Sequence, residues 1–202
     1  MLITYLKIAL RNMLRYKSFS LINIVGLSIG LTAFIAISLY VVDEFSYDQF
    51  HEKKDRIYRG VITASFDGET SKWGGLPNLV ATTAMKEIPE VEKASRYFHH
   101  NFGDIAFISV GTQNFTEKAL FFADPELLDI VTIPIIKGAK KNQLLSKPGT
   151  VIISESIARK YFDQQDPIGQ TFTVDDEITL EVTGVYQDMP SNSFLQAELI
   201  AS

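Results

Sequence analysis

The hydrophobic pattern of the chain changes abruptly near its N-terminus. Residues 19–42 (FSLINIVGLSIGLTAFIAISLYVV) contain no charged residue, no histidine and no proline. A helix of this length reaches about 36 Å, and the hydrocarbon core of a bilayer is about 30 Å thick. In lipid the segment has to be helical, because a helix satisfies all of its backbone polar groups internally. The pattern therefore predicts one transmembrane helix, which we assign to residues 18–42.

The two alternative interpretations of this apolar segment are a buried core helix and a cleaved signal peptide. A buried core helix of a soluble protein normally shows a polar face, which residues 19–42 lack. A cleaved signal peptide has an apolar core of about 7–15 residues and ends in a small-x-small cleavage site. This segment is longer and ends in large residues, Leu39-Tyr40-Val41-Val42. We therefore expect an uncleaved membrane anchor.

Residues 1–17 predict a separate, basic amphipathic helix at the cytoplasmic membrane surface. Apolar residues recur at three- and four-residue intervals on one face, and basic residues recur every four residues on another. The basic residues either fix the topology and bind anionic lipid, or they dock a cytoplasmic partner. The basic candidates are Lys7, Arg11, Arg15 and Lys17, and the apolar residues are Leu2, Leu6, Ala9, Leu10, Met13 and Leu14.

Small and polar residues mark one side of the predicted transmembrane helix. Asn23, Gly26, Gly30 and Ala33 follow one another at steps of three and four residues. A Gly-xxx-Gly pair lets two membrane helices approach closely, and an asparagine is less costly against protein than against lipid. We therefore predict that this side packs against other transmembrane helices.

Residues 43–202 predict one folded α+β domain with mainly antiparallel strand pairing. Short β-branched and aromatic runs alternate with short helical patterns in the order β-α-β-β-β-α-β-α-β-β-β. Ser154 is placed as the N-cap of a helix that ends at Phe162. The predicted strands are residues 56–66, 91–99, 105–110, 115–123, 150–153, 170–174, 178–186 and 194–200, and the other helices are residues 77–88 and 125–130, with a helical turn at 143–145.

The segment that leads from the apolar helix into this domain is short and charged. Residues 43–60 (DEFSYDQFHEKKDRIYRG) contain no Gly/Ser-rich linker. Such linkers behave as flexible coils, so their absence favours a rigid connection. We expect movement of the membrane helix to be passed into the domain.

The charge distribution gives an orientation and excludes one class of function. Four of the 19 Lys and Arg residues precede position 43, whereas all 24 Asp and Glu residues lie at or after it. Basic residues close to a first spanning helix keep its N-terminus in the cytoplasm, so residues 43–202 are expected outside the membrane. A nucleic-acid-binding domain would be basic, which this acidic domain is not.

The sequence contains no convincing catalytic, metal or cofactor site. It has neither a G-x-x-x-x-G-K-[ST] phosphate loop nor a G-x-S-x-G elbow. His99 and His100 are adjacent in a predicted strand, where neighbouring side chains point to opposite faces. His51, with acidic neighbours, and residues 175–177 (DDE), at a hairpin tip, are both expected to be solvated. We predict no enzyme activity in this chain.

Several motifs, taken together and in this order, resemble one family. They are the opening LKIALRNMLRYKSFSLINIVGLSIGL, then Tyr47–His51, Asp55–Arg59, Ser154–Phe162, Asp166–Gln170 and Val182–Ser193. They are similar to MacB/FtsX-type ABC transporter permeases. The resemblance implies a periplasmic core domain of MacB type behind a basic helix and a first membrane span. It also implies that more of the outer domain and further spans follow, so the chain is expected to be an N-terminal fragment.

The resemblance further implies a function and a set of partners. The function is that of a permease subunit in the cytoplasmic (inner) membrane that couples an ATPase to an extracytoplasmic domain by mechanotransmission. The implied partners are a cytoplasmic ABC ATPase, a homodimeric or paired permease, membrane lipid, and a periplasmic adaptor or outer-membrane channel. Implied substrate classes are antimicrobial peptides, macrolides and lipoproteins. The alternative is a membrane-anchored sensor or adaptor whose outer domain binds a ligand or partner.

Overall fold

The computed structural model describes residues 2–66 and 68–202, without the side chains of residues 2, 3, 6 and 66. Asp67, part of a turn predicted at Asp67-Gly68, therefore lies outside the described residues, as do the side chains of Leu2 and Leu6. The chain divides after Tyr47 into two units.

The first unit consists, in its described part, of two helices. Helix α1 spans Leu2–Arg15 and helix α2 spans Lys17–Ser46. Tyr16, with φ −111° and ψ 61°, interrupts the helical backbone between them. The predicted apolar run lies within α2, which continues for one more turn through Asp43 and Glu44. None of the 30 residues of α2 is buried, and the helix is long and apolar enough to cross a membrane.

The second unit contains a two-stranded hairpin and a nine-stranded sheet in the part of the chain that the structure describes. The hairpin is formed by β1 (Ile62–Phe66) and β2 (Glu69–Trp73). The strands of the large sheet are β3 (Tyr97–His99), β4 (Ala106–Val110), β5 (Gln113–Glu117), β6 (Leu120–Ala123), β7 (Ile135–Gly138), β8 (Thr150–Ser154), β9 (Thr171–Val174), β10 (Ile178–Tyr186) and β11 (Leu199–Ala201). The helices are α3 (Leu79–Glu87), α4 (Leu127–Ile130) and α5 (Glu155–Phe162), with 3-10 turns at Lys54–Arg56, His100–Gly103 and Lys141–Gln143.

The large sheet has the order β3-β6-β11-β8-β10-β9-β4-β5, with β7 also paired to β10. The β8–β10 and β6–β11 pairs are parallel, and the other observed pairs are antiparallel. The predicted α+β class with mainly antiparallel pairing is confirmed. Gly138 of β7 lies opposite Gly184 of β10 at φ +126°, where an added Cβ would come within 2.4 Å of the Thr183 carbonyl oxygen. Only glycine fits this close approach.

The core covers both faces of the large sheet. Successive residues of β8 belong to different hydrophobic clusters: Val151 and Ile153 to one, and Ile152 to the other. Alternate strand residues point to opposite faces, so a strand buried throughout has a core on each side. Helix α5 covers the first face, and its N-cap is the predicted one: the Ser154 hydroxyl accepts a hydrogen bond from the Ile157 N–H.

Most of the strand bounds that were predicted wrongly have one cause. A β-favouring run forms a strand only where a neighbouring strand pairs with it. The run at 56–66 pairs only from Ile62, and the run at 91–99 only from Tyr97. The run at 115–123 contains two strands, β5 and β6, and the run at 194–200 pairs only over β11. Strands β2 and β7 were not predicted, and the turn predicted at 143–145 is a 3-10 turn at Lys141–Gln143.

Candidate functional site

The second unit begins with residues 48–56, here called the junction segment, which are held by two distant loops. Asp48 makes the first attachment. Its N–H donates to the Asn192 carbonyl oxygen over 2.9 Å, and its Oδ1 accepts from the Phe194 N–H over 2.9 Å. The buried Ser193 hydroxyl lies 3.4 Å from the same Oδ1. Asp48 has φ +55°, a conformation that aspartate tolerates better than most residues.

His51 makes the second attachment, and the prediction that it is solvated was wrong. Its side chain is 6% exposed. Its Nδ1 accepts a hydrogen bond from the Thr132 N–H over 3.1 Å, and its Nε2 lies 3.6 Å from Asp48 Oδ1. Burial lowers the pKa of His51, and the Asp48 carboxylate opposes this only in part. An accepting Nδ1 carries no proton, so His51 is neutral in this arrangement.

Two further contacts join the junction segment to Thr132 and to the end of helix α4. The Glu52 N–H donates to the Thr132 hydroxyl over 2.9 Å, and Lys53 Nζ donates to the Asp129 carbonyl oxygen over 2.7 Å. The Asp129 carboxylate pairs with Lys93, whose hydrogen bond lowers the pKa of Asp129. The junction segment is therefore attached to residues 129–132 by backbone and side chain alike.

The junction brings together two of the motifs on which the family resemblance rests. Asp48 and His51 belong to the first, Tyr47–His51, and Ser193 ends the last, Val182–Ser193. Asp48 and Ser193 are 145 residues apart in the chain. Both motifs are visible in the sequence, but no local pattern indicates that they are in contact. Thr132, which binds His51 and Glu52, lies in no motif and was missed.

The predicted basic candidates are all exposed. Lys7, Arg11 and Arg15 lie on α1, and Lys17 is the first residue of α2. The Arg15 guanidinium lies 5.9 Å from the centre of the Tyr16 ring. The structure leaves these side chains free to meet lipid or protein, and ATPase docking stays a prediction.

The predicted helix-packing residues are exposed on α2. They are Asn23, Gly26, Gly30 and Ala33. A Cβ added at either glycine would find no atom within 4 Å, so the surface there is open. Packing of this side against another helix stays a prediction.

The described residues, 2–66 and 68–202, contain no group of three or more His, Cys, Asp or Glu side chains that could hold a metal ion. The prediction that the tip at residues 175–177 is solvated was wrong for Asp175. This carboxylate binds His100 Nε2 over 2.6 Å and accepts from the Phe107 N–H over 2.8 Å. Burial acts to raise the pKa of Asp175, but these hydrogen bonds, with one from Asn101, outweigh it and lower the pKa.

The buried carboxylate of Glu117 in β5 is bonded to two residues of helix α5. It accepts from the Tyr161 hydroxyl over 2.9 Å and pairs with Lys160 Nζ at 2.6 Å. Burial and the Glu117 charge raise the pKa of Tyr161. No nucleophile faces these groups in their described contacts, and their effect is to hold α5 against β5.

Comparison with known proteins identifies the fold. The family model of the MacB-like periplasmic core domain matches residues 20–201. No curated protein sequence matches the chain. A solved domain of a protein assigned as a permease in Porphyromonas gingivalis is 26% identical, with a TM-score of 0.57 over 66% of this chain and 55% of that domain.

Two other solved structures are more distant. The periplasmic region of MacB from Actinobacillus actinomycetemcomitans is 18% identical, with a TM-score of 0.47 over 60% of this chain and 52% of that region. The extracellular domain of the noncanonic ABC-type transporter YknZ from Gram-positive bacteria is 18% identical, with a TM-score of 0.45 over 58% of each. The chain thus spans little more than half of each solved relative. The family model nevertheless covers nearly all of the chain, which belongs to the family of MacB-like periplasmic core domains of ABC-type transporter permeases.

Proposed function

We propose that this chain belongs to a membrane-spanning permease subunit of an ABC-type export or extraction system. In this proposal it couples a cytoplasmic ATPase to movement of its extracytoplasmic domain. The observation that carries the proposal is the junction segment. Asp48 follows α2 almost directly in the chain and is bonded to residues 192–194, and His51 and Glu52 are bonded to Thr132. A flexible linker would absorb movement at this point, whereas these contacts favour its transmission.

The energy for such movement has to come from a partner. MacB-like permeases work with ABC ATPase partners. This chain has no phosphate-binding loop of its own. The basic residues before α2 favour a cytoplasmic N-terminus and place the acidic domain outside. The exposed Lys7, Arg11 and Arg15 of α1 would then lie on the same side as the ATPase.

Further contacts follow from the same orientation. The open surface at Gly26 and Gly30 suits a second membrane helix, from another copy or a paired permease. The domain outside the membrane would be available to an adaptor, a channel or the exported substrate. These roles rest on the family and on exposure.

The test uses the full chain in detergent, co-expressed in turn with each MacB-type ATPase of its genome. We expect one ATPase to co-purify, and ATP to change the hydrogen exchange of residues 48–56. Reversing the charges of α1 (Lys7→Glu, Arg11→Glu and Arg15→Glu together) should abolish co-purification. A matched variant that reverses three exposed lysines of the second unit should keep it: Lys72→Glu, Lys86→Glu and Lys140→Glu.

A second variant separates docking from coupling. A Gly/Ser-rich linker inserted after Tyr47 should leave co-purification intact but remove the ATP-dependent change in exchange at the junction segment. Persistence of that change with the linker in place would contradict coupling through the junction. Because charge reversal in α1 can invert the anchor, orientation is checked with Thr112→Cys, since the chain has no natural cysteine. Labelling of this residue only in inverted vesicles would contradict the proposed orientation.

A further inference from the structure

Three phenylalanine rings are exposed where β3 leads into β4. Phe98 is 60% exposed, Phe107 is 62% exposed, and Phe102 is fully exposed. Ile105 lies between the last two and is also exposed. We call these four residues the aromatic surface. Single exposed apolar residues are normal, but an exposed group of large ones is typical of an interaction site.

Contacts made by His100 and Asp175 connect the segments that carry these four residues. The His100 ring lies 5.7 Å from the Phe122 ring, which stacks on Phe98 at 5.4 Å. His100 Nε2 also binds Asp175, whose other oxygen accepts from the Phe107 N–H. These contacts link β3, at one edge of the large sheet, to β4 near the other.

The loop that carries Phe102 has an unusual backbone. Asn101, Phe102 and Gly103 have φ values of +48°, +54° and +93° in succession. The left-handed region is unfavourable for phenylalanine, because its Cβ approaches the following carbonyl oxygen. Asn101 Nδ2 donates to Asp175 Oδ2 over 3.2 Å, and the Asp104 N–H donates to the Asn101 carbonyl oxygen over 3.1 Å. The fold thus holds an apolar ring in water in an unfavourable conformation, as is typical of binding sites.

The segments that form and support the aromatic surface are acidic, and Arg96 and Lys118 lie at their borders, where Arg96 is paired with Asp124. Residues 97–117 and 170–181 contain no lysine or arginine. Asp104, Asp176 and Glu177 are exposed there, and Asp175 is partly exposed. Aromatic faces attract lysine and arginine, and the neighbouring carboxylates strengthen that preference.

We propose that the aromatic surface binds a segment of another protein that carries arginine or lysine beside apolar side chains. The charges argue against the two other occupants of an apolar surface. A second copy would present another acidic domain, since all 24 acidic residues follow Val42. Anionic lipid would be repelled by the carboxylates. The proposal goes beyond coupling to an ATPase and needs no ATPase for its test.

The test uses the full chain in nanodiscs of phosphatidylcholine and short fluorescent peptides, with anisotropy as the measurement. One peptide alternates arginine and leucine, a second alternates glutamate and leucine, and a third alternates serine and leucine. We expect saturable binding of the arginine peptide alone, weakened by salt.

Matched variants show whether the aromatic surface is responsible. Phe102→Asn removes the ring but keeps a residue that accepts the left-handed backbone, and it should weaken binding about tenfold. Tyr58→Asn removes an 88% exposed ring outside the surface and should change nothing. Circular dichroism checks that both variants are folded.

Four results would overturn the proposal. If Phe102→Asn bound the arginine peptide as tightly as the unchanged chain does, the binding would be a non-specific charge effect. Equal binding of the glutamate peptide would remove the role of charge. A dimer in detergent that Phe102→Asn abolishes would assign the surface to a second copy. Binding to phosphatidylglycerol vesicles that depends on Phe102 would assign it to lipid.

Discussion

Helices α2 and α5 are both rich in large apolar residues, but those residues have different consequences. In α2 they surround the whole helix and none is buried. In α5 they occupy one side, where Ile157, Tyr161 and Phe162 are buried, while charged residues occupy the other. The apolar residues of α2 therefore specify an environment, lipid or partner helix, whereas those of α5 specify a particular neighbour. When apolar residues lie on every side of a helix, the sequence predicts an apolar environment for the helix but does not predict which residues it contacts.

The largest expected effect tests the environment of α2. Leu27→Asp, Leu31→Asp and Ile35→Asp together put three carboxylates on one side of the helix. Each is expected to cost about 2.5–3.5 kcal/mol near the middle of a spanning helix, so integration should be lost. A glycosylation-based insertion assay measures it. The alanine variants at the same three positions should still integrate, and full integration of the aspartate variant would contradict a spanning α2.

The second largest effect tests the packing of α5 against the core of the large sheet. Ile157→Ala should lower the free energy of unfolding of the second unit by about 2–5 kcal/mol, because it removes a buried side chain and leaves a cavity. Pulse proteolysis in urea measures this loss. Leu27→Ala in α2, where the side chain is 74% exposed, should not change the stability of the second unit. Equal losses in the two variants would remove the contrast between the helices.

A smaller effect tests the junction segment, where buried groups are polar rather than apolar. Burial lowers the pKa of His51, so between about pH 6.5 and its folded value the unfolded chain binds more protons than the folded one. Stability should therefore fall as the pH drops from about 7 towards 5, by at most about 1.4 kcal/mol per pH unit for this one group. Pulse proteolysis across this range measures the slope.

His51→Asn is the matched variant, because asparagine retains an acceptor near the position of Nδ1 but does not titrate there. The variant should lose the part of the pH dependence of stability that His51 contributes. An unchanged slope would mean that His51 does not govern the pH dependence.

The elements predicted well are those whose evidence is local. Ser154 and the apolar spacing of α5 lie within nine residues, and the hairpin of β9 and β10 joins neighbouring runs. Strand β2 could not be found in this way. All five of its residues are exposed, so it has no alternation of buried and exposed positions, and its pairing with β1 alone makes it a strand.

The candidate site was predictable only in pieces. The motif around Asp48 and the one ending at Ser193 were both visible, but their contact joins residues 145 positions apart. His51 has acidic neighbours in sequence, which favour solvation. Its hydrogen-bond partner Thr132 lies 81 positions later in the chain. Burial by a distant segment leaves no trace in the local pattern, and this is why His51 was misjudged.

Helix α2 is one uninterrupted helix of 30 residues. Its length is about 45 Å, roughly 15 Å more than a hydrocarbon core. A continuous helix moves as one rigid element, both along its axis and around it. In the coupling proposed above, a rotation of α2 at Lys17 would turn its other end at Ser46, so the proposal includes rotation of the helix as well as translation along its axis.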